Sequence, residues 1–139
     1  MLIKLEYKIS GGDFTRAGHA SSEVKKNLKQ LGVDPLIIRR VVVSMYEAEV
    51  NIVAHAYNGH IKVEIESHRI RIVLADKGPG IPDIEMAMRE GYTTASQQVR
   101  EMGFCAGMGL PNIKKNSDIL NITSIVNEGT TVEIINNLQ

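Results

Sequence analysis

The sequence predicts a two-layer α/β sandwich, and three observations carry that expectation. Residues 61–66 and 70–74 alternate apolar and polar side chains on either side of Ser67-His68-Arg69, as a half-buried antiparallel hairpin does. The stretch that follows Asp34-Pro35 is apolar almost all round, the mark of a helix sunk in a core. The predicted elements run β-α-α-β-β-α-loop-α-β-β, an order suited to helices packed on one side of a sheet.

Residues 2–9 set Leu2, Lys4, Glu6 and Lys8 against Ile3, Leu5, Tyr7 and Ile9, which predicts a first strand. Ser10-Gly11-Gly12-Asp13 ends it. A helix is expected over 14–31, capped by Asp13, with Phe14, Ala17, Val24, Leu28 and Leu31 on one side and Gly32 just past its end. Asp34 and Pro35 form an N-cap and N1 pair for the second helix. The hairpin follows, and its second strand ends at Asp76. A short helix over 84–89 follows Pro82-Asp83, and Gly109-Leu110-Pro111 opens another. Residues 119–126 and 130–135 form a last hairpin around Asn127-Glu128-Gly129.

The chain's 139 residues fit one domain, residues 1–139, with a real core. Hydrophobic content of 43% with 23% charged residues argues against wholesale disorder. Sixteen Lys and Arg balance sixteen Asp and Glu without any basic tract, so neither nucleic acid nor a membrane surface is an expected partner. The single Cys105 excludes an internal disulfide. The early charges of Lys4 and Glu6 do not suit a signal peptide, and no stretch reaches a spanning length. A soluble cytoplasmic protein is expected.

Three polar features interrupt this pattern. Glu47, Asn51 and His55 lie at i, i+4 and i+8, a single polar line along the otherwise apolar second helix. Unpaired polar groups buried there would cost several kcal/mol, so they either satisfy one another or face a polar cavity or ligand. Asp76-Lys77-Gly78-Pro79-Gly80 ends a strand. It is either a tight turn or a loop whose glycines pass close to a ligand, with the Asp76 carboxylate accepting from an exocyclic amine. Gly107-Met108-Gly109 is either a hinge or a phosphate-binding turn at a helix start. The polar stretch from Tyr92 to Glu101 between the glycine elements suggests a lid over a nucleotide. An Asn oxygen and a Glu carboxylate one turn apart suit Mg²⁺ beside a nucleophile.

Glu47-Ala48-Glu49-Val50-Asn51 with Ala54-His55-Ala56-Tyr57, then Asp76-Lys77-Gly78-Pro79-Gly80-Ile81, then Gly107-Met108-Gly109-Leu110, and finally Gly129-Thr130-Thr131, resemble the motifs of the GHKL ATPase superfamily in their order. Gly91-Tyr92-Thr93-Thr94 before the lid makes the chain most similar to the bacterial anti-sigma-factor serine/threonine kinases and related switch kinases. The resemblance covers the chain from about Phe14 onward. It implies the histidine-kinase-like two-layer fold, with a mixed, mostly antiparallel sheet and helices on one face. It implies ATP and Mg²⁺ as cofactors, with Asn51 as the metal ligand and Glu47 as general base. Asp76 would read the adenine amine, and Gly78, Gly80 and Ile81 would let the loop pass the base. Gly107, Met108 and Gly109 would wrap phosphate, and Thr130 would close the adenine end.

The implied activity is phosphoryl transfer to a serine or threonine of an anti-sigma-factor antagonist. The implied partners are that antagonist, a sigma factor, or both, and a second copy in a homodimer. The helix after Asp13, with Phe14, Arg16, Lys25, Lys26 and Lys29, resembles the family's partner-binding helix and equally fits a solvated basic face. Family kinases often place a basic residue just before the second glycine box, where this chain has Phe104-Cys105-Ala106, leaving Arg100 as the nearest lid cation. Glu47 therefore favours a kinase. The altered lid favours an ATP-dependent binding module that sequesters a regulatory partner with little turnover.

Overall fold

A computed structural model describes residues 1–89 and 109–139. The expectations for Gly107, Met108, Arg100, Cys105 and the lid stretch lie outside the described residues. The strands are β1 (Leu2–Ser10), β2 (Asn58–Glu66), β3 (Arg69–Lys77), β4 (Ile119–Ile125) and β5 (Gly129–Asn137). The helices are α1 (His19–Gln30), α2 (Pro35–His55), α3 (Ile84–Ala87) and α4 (Gly109–Lys115), and a 3₁₀ turn covers Phe14–Arg16. The sheet order is β1-β2-β3-β5-β4, and all four pairings are antiparallel. No parallel pair occurs among the described residues, because each strand's sheet neighbour runs back against it.

Alternation decides which way each strand faces. Ile61, Val63 and Ile65 of β2 and Ile70, Ile72 and Leu74 of β3 are buried, while Lys62, Glu64 and Arg71 lie on the wetter face. The buried set packs against Val41, Met45, Ala48 and Ile52 of α2 in one core. Helix α2 also touches α1, α4 and four of the strands, which makes it the axis of the molecule. Its N-terminus forms as the sequence indicates, with Asp34 accepting from the Leu36 N–H at 2.8 Å and Pro35 at the first turn. Gly59 has no side chain because a Cβ there would stand 2.9 Å from the Ile52 side chain, so the helix lies directly on β2.

The first helix starts later than its pattern suggests. Asp13 takes a hydrogen bond from the Thr15 hydroxyl instead of capping a helix, and Gly18, left-handed at φ 92°, separates the 3₁₀ turn from α1. Phe14, Ala17 and Leu31 therefore lie outside the helix, whose buried side is Ala20, Ser21, Val24 and Leu28. The cap comes from α2: the fully buried Glu49 carboxylate accepts from the N–H groups of Gly18 (3.0 Å), Ala20 (3.2 Å) and Ser21 (3.1 Å). At the other end Gly32 does what its position suggests. With φ 74° it lets its own N–H reach the Lys29 carbonyl and the Val33 N–H reach that of Leu28, closing a Schellman turn.

Candidate functional site

The loop after β3 is stapled to the β4–β5 hairpin, and this fixes one wall of the site. The Gly78 N–H donates to the Glu128 carbonyl (3.1 Å), the Asn127 N–H to Pro79 (2.8 Å), and the Ile81 N–H to Ser124 Oγ (2.7 Å). Gly80 adopts φ 75°, and a Cβ there would come within 2.5 Å of the Ile125 carbonyl oxygen, so both backbone angle and space demand glycine. Gly78 serves differently. It has no left-handed φ; its missing side chain lets the loop press on Ala56 at the end of α2, where a Cβ would meet the Ala56 Cα at 2.9 Å. The two loop glycines thus divide the tasks the sequence assigned to both.

Between this loop, α2 and the start of α4 lies a cavity of about 160 Å³. Asn51, Asp76, Gly80, Ile81, Gly109 and Thr130 all line it. Its apolar wall includes Ile52, Leu74 and Val132. Gly78 lies buried beneath this lining, and Glu47 stands outside it, one helical turn before Asn51. Gly109 joins the two polar residues: a Cβ built on it would lie 3.3 Å from Asn51 Oδ1 and 3.5 Å from Glu47 Oε2. Asp76 Oδ1 accepts from the Thr130 N–H at 3.1 Å. Glu47 and Asn51 thus both flank Gly109, and Asp76 is tied to Thr130.

The description "Histidine kinase-like ATPase domain" matches residues 13–136 of the chain. The chain belongs to this family. Serine/threonine-protein kinase RsbT of Bacillus subtilis is 31% identical over 121 residues, which cover 84% of this chain and 85% of the relative. An anti-sigma F factor of Anoxybacillus flavithermus is 37% identical over 112 residues, covering 76% of this chain and 72% of the relative. One from Pasteuria penetrans is 35% identical over 100 residues, covering 67% and 63%.

Burial is the first cause of the shifts in the ionisable groups in and beside the cavity. Burial raises the Glu47 pKa, partly offset by the Asn112 amide, which donates to Oε1 at 3.4 Å. Burial likewise raises Asp76, against the Thr130 N–H bond. His55, on the cavity wall, is pushed down by burial, which favours its neutral form. The lining combines the Asp76 carboxylate, a hydrogen-bond acceptor, with the apolar Ile52, Leu74 and Val132. Among the described residues no three His, Cys, Asp or Glu side chains gather as a metal cage. A hard cation held here would draw on the Asn51 oxygen, phosphate oxygens and water, the donor set Mg²⁺ prefers.

Three contributors escaped the sequence reading. Asn112 stands three residues after Gly109, so the helix that glycine opens also supplies the partner of Glu47. Ser124 is a polar residue on the inward side of β4, after Leu120 and Ile122, and that break in an apolar series was the available signal. Glu49 could be noticed only as a carboxylate amid buried residues of α2; its target lies on another helix.

Proposed function

We propose that the chain is a single ATP-binding unit acting as a serine/threonine protein kinase on an anti-sigma-factor antagonist. The observation that carries this reading is a cavity lined by Asn51, Gly109, Asp76 and Thr130, with Glu47 just outside it beside Gly109. The names of the relatives, a serine/threonine-protein kinase and anti-sigma F factors, support the substrate and partner class. Mg²⁺ bound with ATP would supply charge neutralisation along the phosphates, for phosphoryl transfer is mostly positioning and electrostatics. Asn51 offers its amide oxygen to that ion. Asp76 accepts from the adenine amine while the apolar wall excludes water from the base. Glu47, with its raised pKa, orients the incoming serine or threonine hydroxyl and takes its proton.

Radiolabelled ATP tests this reading with the antagonist as acceptor. Glu47→Gln keeps shape and hydrogen bonding but lacks the base, so transfer should fall about a hundredfold or more with ATP affinity little changed. Equal labelling by wild type and variant would make Glu47 structural. Phe104-Cys105-Ala106, where a cation is common, favours a second reading, a module that captures a regulatory partner with little turnover. ATP binding and sigma-factor capture without any labelling would establish that reading instead.

A further inference from the structure

The five-stranded sheet ends at β1 on one side and at β4 on the other, and the two edges differ in chemistry. Along β1 the exposed positions carry Lys4, Glu6 and Lys8, charges of the kind that keep an edge from pairing with another chain. Strand β4 has no such guard. No ionisable residue lies between Asp118 and Glu128, and the strand holds no proline. Its register with β5 runs one for one from Ile119 to Ile125, so no bulge turns it away. Leu120 and Ile122 on its inner face are only partly buried against the core, while Ile119 and Ile125 on its outer face are 50% and 62% exposed. Among the described residues no strand pairs with its outer edge.

We propose that the outer edge of β4 is a self-association surface, where a second copy of this chain adds its own β4 antiparallel and makes the sheet ten-stranded. The sequence of the strand is complementary to itself: Ile119-Leu120-Asn121-Ile122-Thr123-Ser124-Ile125 reads nearly alike in both directions. About a twofold axis at Ile122, Ile119 of each copy faces Ile125 of the other, Asn121 faces Thr123, and Ile122 faces itself. Facing side chains stand about 5 Å apart, so apolar meets apolar and an amide meets a hydroxyl that can accept from it. No charge is buried. The inner faces adjoin as well, which gives Leu120 and Ile122 further cover. The neighbouring registers that keep the faces matched set an isoleucine against Thr123 or Asn121 instead, and this selects the register at Ile122. The chemistry of this edge, not the nucleotide reading, carries the proposal, and it leaves the basic face of α1 open to a regulatory protein.

Light scattering on the full chain tests the assignment with wild type and two double variants that differ only at residue 123, whose side chain is exposed. Asn121 donates to Glu133 at 2.7 Å, and a lysine in its place keeps that carboxylate paired. Asn121→Lys/Thr123→Lys sets lysine against lysine twice across the axis and should raise the dimer Kd about a hundredfold or more. Asn121→Lys/Thr123→Glu sets lysine against glutamate twice and should restore the dimer that wild type forms. Amide hydrogen exchange needs no variant: over residues 119–125 it should slow as the wild-type concentration rises through the dimer Kd. A wild-type dimer that survives Asn121→Lys/Thr123→Lys pairs through another face and overturns the assignment. A monomeric Asn121→Lys/Thr123→Glu variant overturns the register, and the proposal with it. A wild type that is monomeric at all concentrations overturns it too, and if Asn121→Lys/Thr123→Lys then abolishes antagonist binding, the edge belongs to that partner instead.

Discussion

At Glu47 the chain gives up hydration where α4 packs over α2, and burial holds its pKa above the ordinary carboxylate value. An acid whose pKa is higher in the folded chain binds its proton more tightly there. Its contribution to stability is complete below the unfolded value and is lost as pH rises through the folded one. The same direction holds for Asp76. Glu47→Gln removes the ionisation, so the variant should melt above wild type at neutral pH, and the gap should close near pH 4, where carboxylates protonate. Thermal melts across that range decide it; a variant less stable than wild type at neutral pH would show that ionised Glu47 is held by a partner. Transfer by the wild type should likewise rise with pH through the raised value, since only the ionised carboxylate can take a proton. A profile flat across the carboxylate range would remove Glu47 as the titrating base.

Helix α1 depends for its start on a residue of α2. Glu49 Oε2 accepts from Gly18 and Ala20, and Oε1 from Ser21, so both oxygens are committed to the first turn. Gly18, as N-cap, supplies no side chain of its own. In Glu49→Gln one oxygen becomes an amine that faces an N–H, which should destabilise the fold by about 2 kcal/mol. For a chain of this size that corresponds to roughly 8 °C in melting temperature, and a shift below about 1 °C would show that the cap is dispensable. The same contact explains where the sequence was legible. The strands and α2 declare themselves through local signals, the period-two alternation and the Asp34-Pro35 start. The beginning of α1 does not, since its cap comes from a position 28 to 31 residues away, and Asp13 offered a plausible local substitute. Asn51, Asp76, Gly109 and Thr130, which line one cavity, could be singled out as candidates because the order of their motifs is distinctive. Asn112 and Ser124 could not, because each works through another residue's side chain.

The whole molecule joins its two layers through α2, which carries Glu47 and Asn51 on one side and Glu49 on the other. Among the described residues no helix is long and apolar enough to cross a membrane. Lys25, Lys26 and Lys29 are exposed along α1 with Arg16 just before it, a basic face that fits solvent and that we propose for a regulatory protein or a second copy. A homodimer is the expected solution state, and light scattering that gives a monomer at all concentrations would remove it while leaving the nucleotide reading intact. ATP itself should act on global stability. A ligand in the cavity touches α2, the end of β3, the loop after it, β5 and the start of α4, so it binds only when both layers are assembled. Binding to the folded state alone stabilises by mass action, about 2.7 kcal/mol at a hundred times Kd, or roughly 10 °C here. Mg²⁺-ATP should therefore raise the melting temperature in scanning calorimetry, and a chelator should abolish most of the rise. Asp76→Asn turns an acceptor into a group that can present an N–H to the adenine amine, so it should lose the rise at the same nucleotide concentration. No shift in wild type at millimolar Mg²⁺-ATP would mean that the cavity is not a nucleotide site.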